Sequence, residues 1–206
     1  MTQKVEILIG VPCSGKSTYR GKTYNPETTF IVSRDDIKKD LIEEYGIDYQ
    51  SMYKRPQEGD PQEHPLFGVQ TESGEWSKVK EMNDQLSERF DIRKKDSIKA
   101  IFEGKDVVFD MTNLTVKERE EIKDLFKDFD VDINAINFKF EGNEKLIKEL
   151  NQKRGEQTNN FIPEFIIDDM MEKCEFATLD EGFSNVVKID GLSSLKPKPK
   201  RSRGLR

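Results

Sequence analysis

Val5-Glu-Ile-Leu-Ile-Gly10-Val-Pro-Cys-Ser-Gly15-Lys16-Ser17-Thr18 is the stretch from which the rest of the chain is read. Residues 5–10 form a short apolar run that predicts a buried strand, and a helix is expected over residues 15–23. Between them lies a complete G-x-x-x-x-G-K-[ST] motif, in the strand–turn–helix context that gives the motif its meaning. Its glycines let the backbone curl until successive N–H groups converge on phosphate oxygens, and the helix N-terminus adds favourable dipole charge. Gly10, Pro12, Ser14, Gly15, Lys16, Ser17 and Thr18 are therefore expected to hold a nucleoside triphosphate. Lys16 would bridge the β and γ phosphates of ATP, and Ser17 would offer its hydroxyl to Mg²⁺. Cys13 sits inside the loop, as a thiol activated by the helix end or as a small residue at a variable position.

Outward from this motif, strands and helices alternate, which argues for an α/β sheet with crossover helices. Residues 29–33 read as a second strand, and Asp35 and Asp36 then stand where helix N-termini prefer acids. Apolar residues keep helical spacing over residues 76–102, and residues 106–110 form a third strand ending in Asp110. Ile122, Leu125, Phe126 and Phe129 recur at i, i+3, i+4 and i+7, the pattern of an amphipathic helix. Residues 131–140 predict a fourth strand, residues 143–154 and 163–175 two helices, the second with Pro163 near its first turn, and residues 185–190 a fifth strand. Cys174 shares an apolar face with Ile166 and Met170 and is expected in the core. The resulting expectation is a three-layer fold of the P-loop NTPase and kinase type, with a central, mostly parallel five-stranded sheet flanked by helices. Residues 44–75, with Pro56, Pro61, Pro65, Gly59, Gly68 and Gly74, read as a long irregular insertion, of a length that is functional or disordered in most proteins.

Composition narrows the function classes. The chain has 206 residues, 34 of them basic and 40 acidic, for a net charge of −6. No stretch approaches the roughly 18 apolar residues of a membrane span. No leader is visible before the first strand, and two cysteines make neither a disulfide framework nor a zinc cluster. A soluble protein of the cytoplasm is expected. The lone histidine, His64, lies in the irregular insertion and reads as a solvated side chain. Residues 196–206 hold six basic residues and no acid, so the net −6 resolves into +6 on this tail and −12 on residues 1–195. Such a tail is a solvated terminus or an electrostatic arm for nucleic acid.

Chemistry beyond phosphate binding is carried by three further segments. Ser33-Arg34-Asp35-Asp36 follows the second strand, and ligands of open α/β sheets sit beyond the carboxyl ends of strands. A carboxylate there could take a proton from an attacking hydroxyl, or Asp35 and Asp36 could simply cap a helix. Asp110, closing an apolar strand, could hold Mg²⁺ directly or through water. Thr112 and Asn113 after it serve a ligand or only a turn. Lys153-Arg154, followed by Gly155 and a polar stretch, reads as a basic lid over residues 150–162 that could bring Arg154 onto the phosphates, or as a solvated helix end.

Together these residues resemble the phage-type polynucleotide 5′-hydroxyl kinases. That family pairs a P-loop with Arg-Asp-Asp after the second strand, Thr-Asn after the third, and a lid Lys-Arg-Gly. The matching positions here are residues 10–18, Arg34-Asp35-Asp36, Thr112-Asn113-Leu114 and Lys153-Arg154-Gly155. Asp180-Glu-Gly-Phe183 is similar to the same region of the related eukaryotic end-processing kinases. The resemblance covers residues 1–190, with residues 191–206 as a tail. It implies a kinase domain that moves the γ-phosphate of Mg²⁺-ATP to the 5′-OH end of DNA or RNA. On that basis Asp35 is the general base, Lys16 and Arg154 act on the phosphates, and Arg34, Asp36, Lys38, Thr112 and Asn113 meet the substrate. Ser17 and Asp110 would serve the metal. The sequence departs from the family at Lys38 and Leu150, each in place of an arginine, and in carrying its acid at Asp110 with Met111 before the Thr-Asn. Other acceptors stay open: a hydroxymethylated base within DNA, a nucleoside monophosphate or another small metabolite. So does a module of another class, which binds ATP and transfers nothing.

Overall fold

The computed structural model describes residues 2–46, 49 and 75–193. His64, most of the expected insertion and the basic tail lie outside the described residues. In chain order the elements are β1 (Gln3–Ile9), α1 (Lys16–Thr23), β2 (Thr29–Val32), α2 (Arg34–Tyr45), α3 (Glu75–Phe102), β3 (Asp106–Asp110), α4 (Val116–Asp124), β4 (Val131–Phe138), α5 (Glu144–Thr158), α6 (Glu164–Glu172) and β5 (Asn185–Ile189). The five strands form one sheet in the order β2-β3-β1-β4-β5. Every pairing is parallel.

β1 occupies the middle of the sheet, with Val5 level with Val107 on one side and Ile133 on the other. A central parallel strand is covered on both faces, which is why its sequence is apolar without alternation. Val5, Ile7 and Ile9 pack into a core with Ala100, Ile101, Phe109, Ile122 and Phe126. Leu8 faces the other way, into Val108, Ile136, Phe138 and the ring of Tyr19 on α1. Beyond the carboxyl ends of the strands, Val11, Leu114, Phe140, Ile147, Ile162 and Ile167 make a separate cluster under α5 and α6, against which Cys174 packs. α2 rests on α3 through Leu41, Met82 and Leu86. Because the chain moves from β1 to β2 on one side and later to β4 on the other, the crevice at the end of β1 is a topological switch point. Among the described residues, no helix is long and apolar enough to cross a membrane.

The structure corrects several boundaries. The helix expected from Ile122 to Phe129 starts earlier, at Val116, where Thr115 and Glu118 form a reciprocal capping box. Leu125, Phe126 and Phe129 follow it in turns closed by i to i−3 backbone bonds. β4 stops at Phe138, and Phe140 leaves the ladder to pack beneath α5. α5 continues through Lys153, Arg154 and Gly155 to Thr158, so these residues belong to the helix and not to a link after it. α6 begins after Pro163 as N-cap and ends at Glu172. The expected irregular segment gives up its first residues to α2, whose left-handed end is Gly46.

Candidate active site

The loop between β1 and α1 has the backbone that the glycine spacing requires. Gly10 has φ +154° and Gly15 φ +103°, and a Cβ on Gly10 would stand 2.9 Å from Ser14 Oγ and 3.0 Å from Phe138 Cβ. Cys13 takes the left-handed conformation at φ +62°. The start of the loop is pinned by the Gly10 N–H, which donates to the Thr112 carbonyl at 3.0 Å. Lys16 curls back over the loop, its Nζ donating to the carbonyls of Gly10 at 2.5 Å and Val11 at 2.9 Å. Burial pushes the Lys16 ammonium below its ordinary pKa, while Asp110 and Asp35 oppose the shift. On the far side the turn after β5 presses in. A Cβ on Gly15 would stand 3.0 Å from Gly191 Cα, and one on Gly191 2.5 Å from the Ser14 carbonyl.

α1 begins at this loop without a side-chain cap, and its first turn holds no acid. Its leading amides are thus left for another acceptor. Ser14 Oγ is buried with no hydrogen-bond partner. An orphaned hydroxyl, glycines crowded by neighbours and unspent helix amides together fit a phosphate chain. For a divalent cation, Ser17 and Asp110 line the cavity beside the loop, an oxygen donor set of the kind Mg²⁺ takes beside phosphate and water. Among the described residues, no three His, Cys, Asp or Glu side chains gather into a metal cluster of their own.

α2 supplies the facing wall. Ser33 is its N-cap, the hydroxyl accepting from the Asp36 N–H at 3.2 Å. The capping role expected of Asp35 or Asp36 therefore falls to Ser33. Asp35 is left exposed at the rim of the cavity, 3.8 Å from Lys38 Nζ. Asp36 turns to Arg20, whose Nη1 donates to Asp36 at 2.8 Å and to Asp110 at 2.9 Å. Burial raises the Asp110 pKa, with Lys16 and Arg20 acting against it.

α5 closes the third side. Arg154 lines the cavity and donates through Nη2 to Asn151 Oδ1 at 2.9 Å. Asn151 is fully buried and also clamps the returning chain, giving its amide to the Ile162 carbonyl at 2.7 Å and accepting from the Ile162 N–H at 3.1 Å. Gly155 lets that chain approach, since a Cβ there would stand 2.8 Å from Phe161 Cβ.

One cavity of about 470 Å³ lies between these walls. Pro12, Gly15, Lys16, Ser17, Thr18, Asp35, Asp36, Asp110, Thr112 and Arg154 line it, as does Leu150. Gly10, Ser14, Arg34, Lys38 and Asn113 do not. Arg34 is exposed and lies over the Phe90 ring, 5.7 Å from its centroid, and Lys38 Nζ stands 5.6 Å from the ring centroid of Tyr49. Asn113, buried at φ +47°, gives its amide to the carbonyls of Leu8 and Phe109. Its amide braces the ends of β1 and β3, while its Oδ1 is buried with no hydrogen-bond partner. Cys13 also lines the cavity, but burial raises its thiol pKa against the pull of Arg154 and Lys16, so it sits as a small protonated packing group. Burial likewise pushes Cys174 up to about 11.

Sequence reading missed Arg20, Asn151 and the Gly191-Leu192 turn. Arg20 alone had a local signal, since it follows Lys16 by four residues and shares its helix face. A family model described as an AAA domain matches residues 5–177. No curated protein matches the chain. Among solved structures, a candidate kinase from Chloroflexus aurantiacus J-10-fl is similar over 96% of this chain and 92% of its own, with 12% identity and a TM-score of 0.60. Kti12 of Chaetomium thermophilum, solved with ADP-AlF3, matches 90% of this chain and 88% of its own at 14% identity and a TM-score of 0.49. A Pnkp1/Rnl/Hen1 complex matches 67% of this chain and 36% of its own at 20% identity, with a TM-score of 0.37. At these identities the first likeness speaks for the fold, and the TM-scores of the other two are too low to add to it. With a family match that spans most of its length and the parallel P-loop architecture described above, the chain belongs to the AAA domain family.

Proposed function

We propose that the chain is an ATP-dependent phosphotransferase and that its acceptor is the 5′-hydroxyl end of DNA or RNA. The observation that carries the reading is the meeting of Asp35, the Lys16-Ser17-Thr18 end of the loop and Arg154 around one cavity. An exposed carboxylate lining the same cavity as the phosphate loop supports transfer over nucleotide binding alone. In the proposed reaction the loop amides and Lys16 hold the β and γ phosphates. Asp35 accepts the acceptor proton as the acceptor oxygen bonds to the γ phosphorus and the bond to ADP breaks. Arg154 neutralises charge on the transferred group, the kind of electrostatic support that dominates phosphoryl transfer. Ser17 and Asp110 would hold Mg²⁺, which when bound neutralises phosphate charge.

The 5′-hydroxyl acceptor is supported by the resemblance in sequence. Thr112 lines the cavity, Arg34 is exposed beside the Asp35 turn, and Lys38 Nζ stands 3.8 Å from Asp35, so these groups are the ones offered to a polynucleotide in the proposed complex. The test uses γ-labelled ATP and Mg²⁺ with 5′-OH DNA and RNA oligonucleotides, 5′-blocked DNA containing hydroxymethyluracil, and free nucleotides. Label at the 5′ terminus is the expected outcome. Label only on internal bases or free nucleotides would keep the phosphotransferase and replace the acceptor, and no label anywhere would overturn both.

A further inference from the structure

We propose that Arg20 is a positioning residue, whose grip on Asp36 and Asp110 fixes the first turn of α2 to the end of β3 and so sets where Asp35 stands over the cavity. The inference rests on the phosphotransfer reading for its kinetic consequence and on geometry alone for its structural one. One nitrogen, Arg20 Nη1, lies within 2.9 Å of both carboxylates, and Nη2 lies 3.5 Å from the second oxygen of Asp36. The three groups come from α1, α2 and β3, so a single side chain joins three elements.

What else holds this turn explains why the grip matters. The buried side chain of α2 is Leu41, packed on Met82 and Leu86 of α3, well past the first turn. Arg34 and Asp35 are exposed, and the Asp36 and Ile37 side chains are half-buried. On the α3 side the first turn is held by Ile37, packed on that cluster, and by Arg34 over the Phe90 ring; on the cavity side its tie to β3 runs through Arg20. Without the guanidinium, the carboxylates of Asp36 and Asp110 would face each other with Lys39, 3.8 Å from Asp36, and Lys16 as the nearby cations. Like charges so placed repel, and the half-exposed turn that carries Asp36 yields more readily than β3, which is paired on both sides. Asp35 is the next residue in that turn. A lysine at position 20 would keep the charge but lose the planar fork.

The test compares R20Q, R20K, D36N and the R20Q/D36N pair in the full chain. Three quantities are read: kcat and KM for transfer, nucleotide affinity by calorimetry, and hydrogen exchange of the amides at residues 34–38. R20Q is expected to lower kcat about 10- to 100-fold, the scale of a small misplacement of a reacting group. Its Kd for nucleotide without Mg²⁺ stays within about twofold of wild type, because the loop contacts are untouched and Asp110 has no metal to hold. R20K should fall between R20Q and wild type. D36N should reproduce part of the loss, and the pair should be no worse than R20Q, because both changes break one contact. Exchange at residues 34–38 should rise about tenfold in R20Q while α3 amides keep their wild-type rates. Additive losses in the pair, a Mg²⁺-free nucleotide Kd that weakens in step with kcat, or unchanged exchange would each overturn the inference. If wild type transfers phosphate to no acceptor, the functional reading falls by itself, and the exchange comparison still decides the role of Arg20.

Discussion

At the start of α1, Gly15 stands as a left-handed N-cap with no side chain to offer, and the first turn carries Lys16, Ser17 and Thr18 with no acid. At the start of α2, Ser33 closes the helix with its own hydroxyl, and the first turn carries Asp35 and Asp36. Both helices begin just past the carboxyl ends of parallel strands, and both open on the same cavity. The difference lies in where the free amides go. An end that keeps them unspent, beside a buried cation and with no acid in its own first turn, is built to receive an anion. An end that caps itself has its amides partly satisfied and can present a carboxylate to the cavity. α4, capped reciprocally by Thr115 and Glu118 and contributing nothing to the cavity wall, shows the self-capped end in its purely structural use.

This contrast makes predictions on each side. Lys16→Ala removes the one ammonium that folds over the loop, and transfer should fall at least about 10³-fold with nucleotide affinity weakened about tenfold or more. Labelled-ATP assays and calorimetry check the two parts, and unchanged activity would break the comparison at α1. On the α2 side, Ser33→Ala should cost about 1 kcal/mol of stability in denaturant unfolding. Transfer should drop while nucleotide Kd holds, because the turn that loses its cap carries Asp35. Thr115→Ala is the matched control, with a similar stability loss and an unchanged rate. Equal rates for the two cap variants would show that the α2 end has no special part. The smallest effect is expected from removing residues 196–206. KM for long polynucleotides should rise a few-fold at low salt, with a shallower salt slope, because six cations are lost. An unchanged KM and slope would assign polynucleotide contact to the body alone.

Much of the first half of this contrast was legible in the chain itself. The strand–loop–helix of residues 5–23 carries its physics locally, in an apolar run followed by glycines at fixed spacing. β3 was legible for a similar reason, a short apolar run bounded by Gly104 and Asp110. The order of the strands was not, because pairing of β1 with β3 and β4 joins residues about a hundred positions apart. α4 was misplaced because the apolar period of Ile122 to Phe129 records burial, which continues into the turns after the helix ends. The Thr115-x-x-Glu118 pattern marked the true start and was passed over. Arg20 was legible only as a helical neighbour of Lys16, for a different reason. Its partners lie 16 and 90 residues away, and nothing in a helical neighbour of Lys16 says what it will grip. Asn113 was legible as a turn residue, but its bond to Leu8, 105 positions away, appears only once the sheet is assembled.

The central claim is that Asp35 works on the acceptor while the loop works on the nucleotide. The most direct test is Asp35→Asn, with labelled phosphate transfer and nucleotide affinity measured on the same preparation. Loss of a general base lowers rates by about 10² to 10⁴. The account predicts a loss on that scale with nucleotide Kd unchanged. Transfer within a few-fold of wild type, or a loss matched by an equal weakening of nucleotide binding, would contradict it.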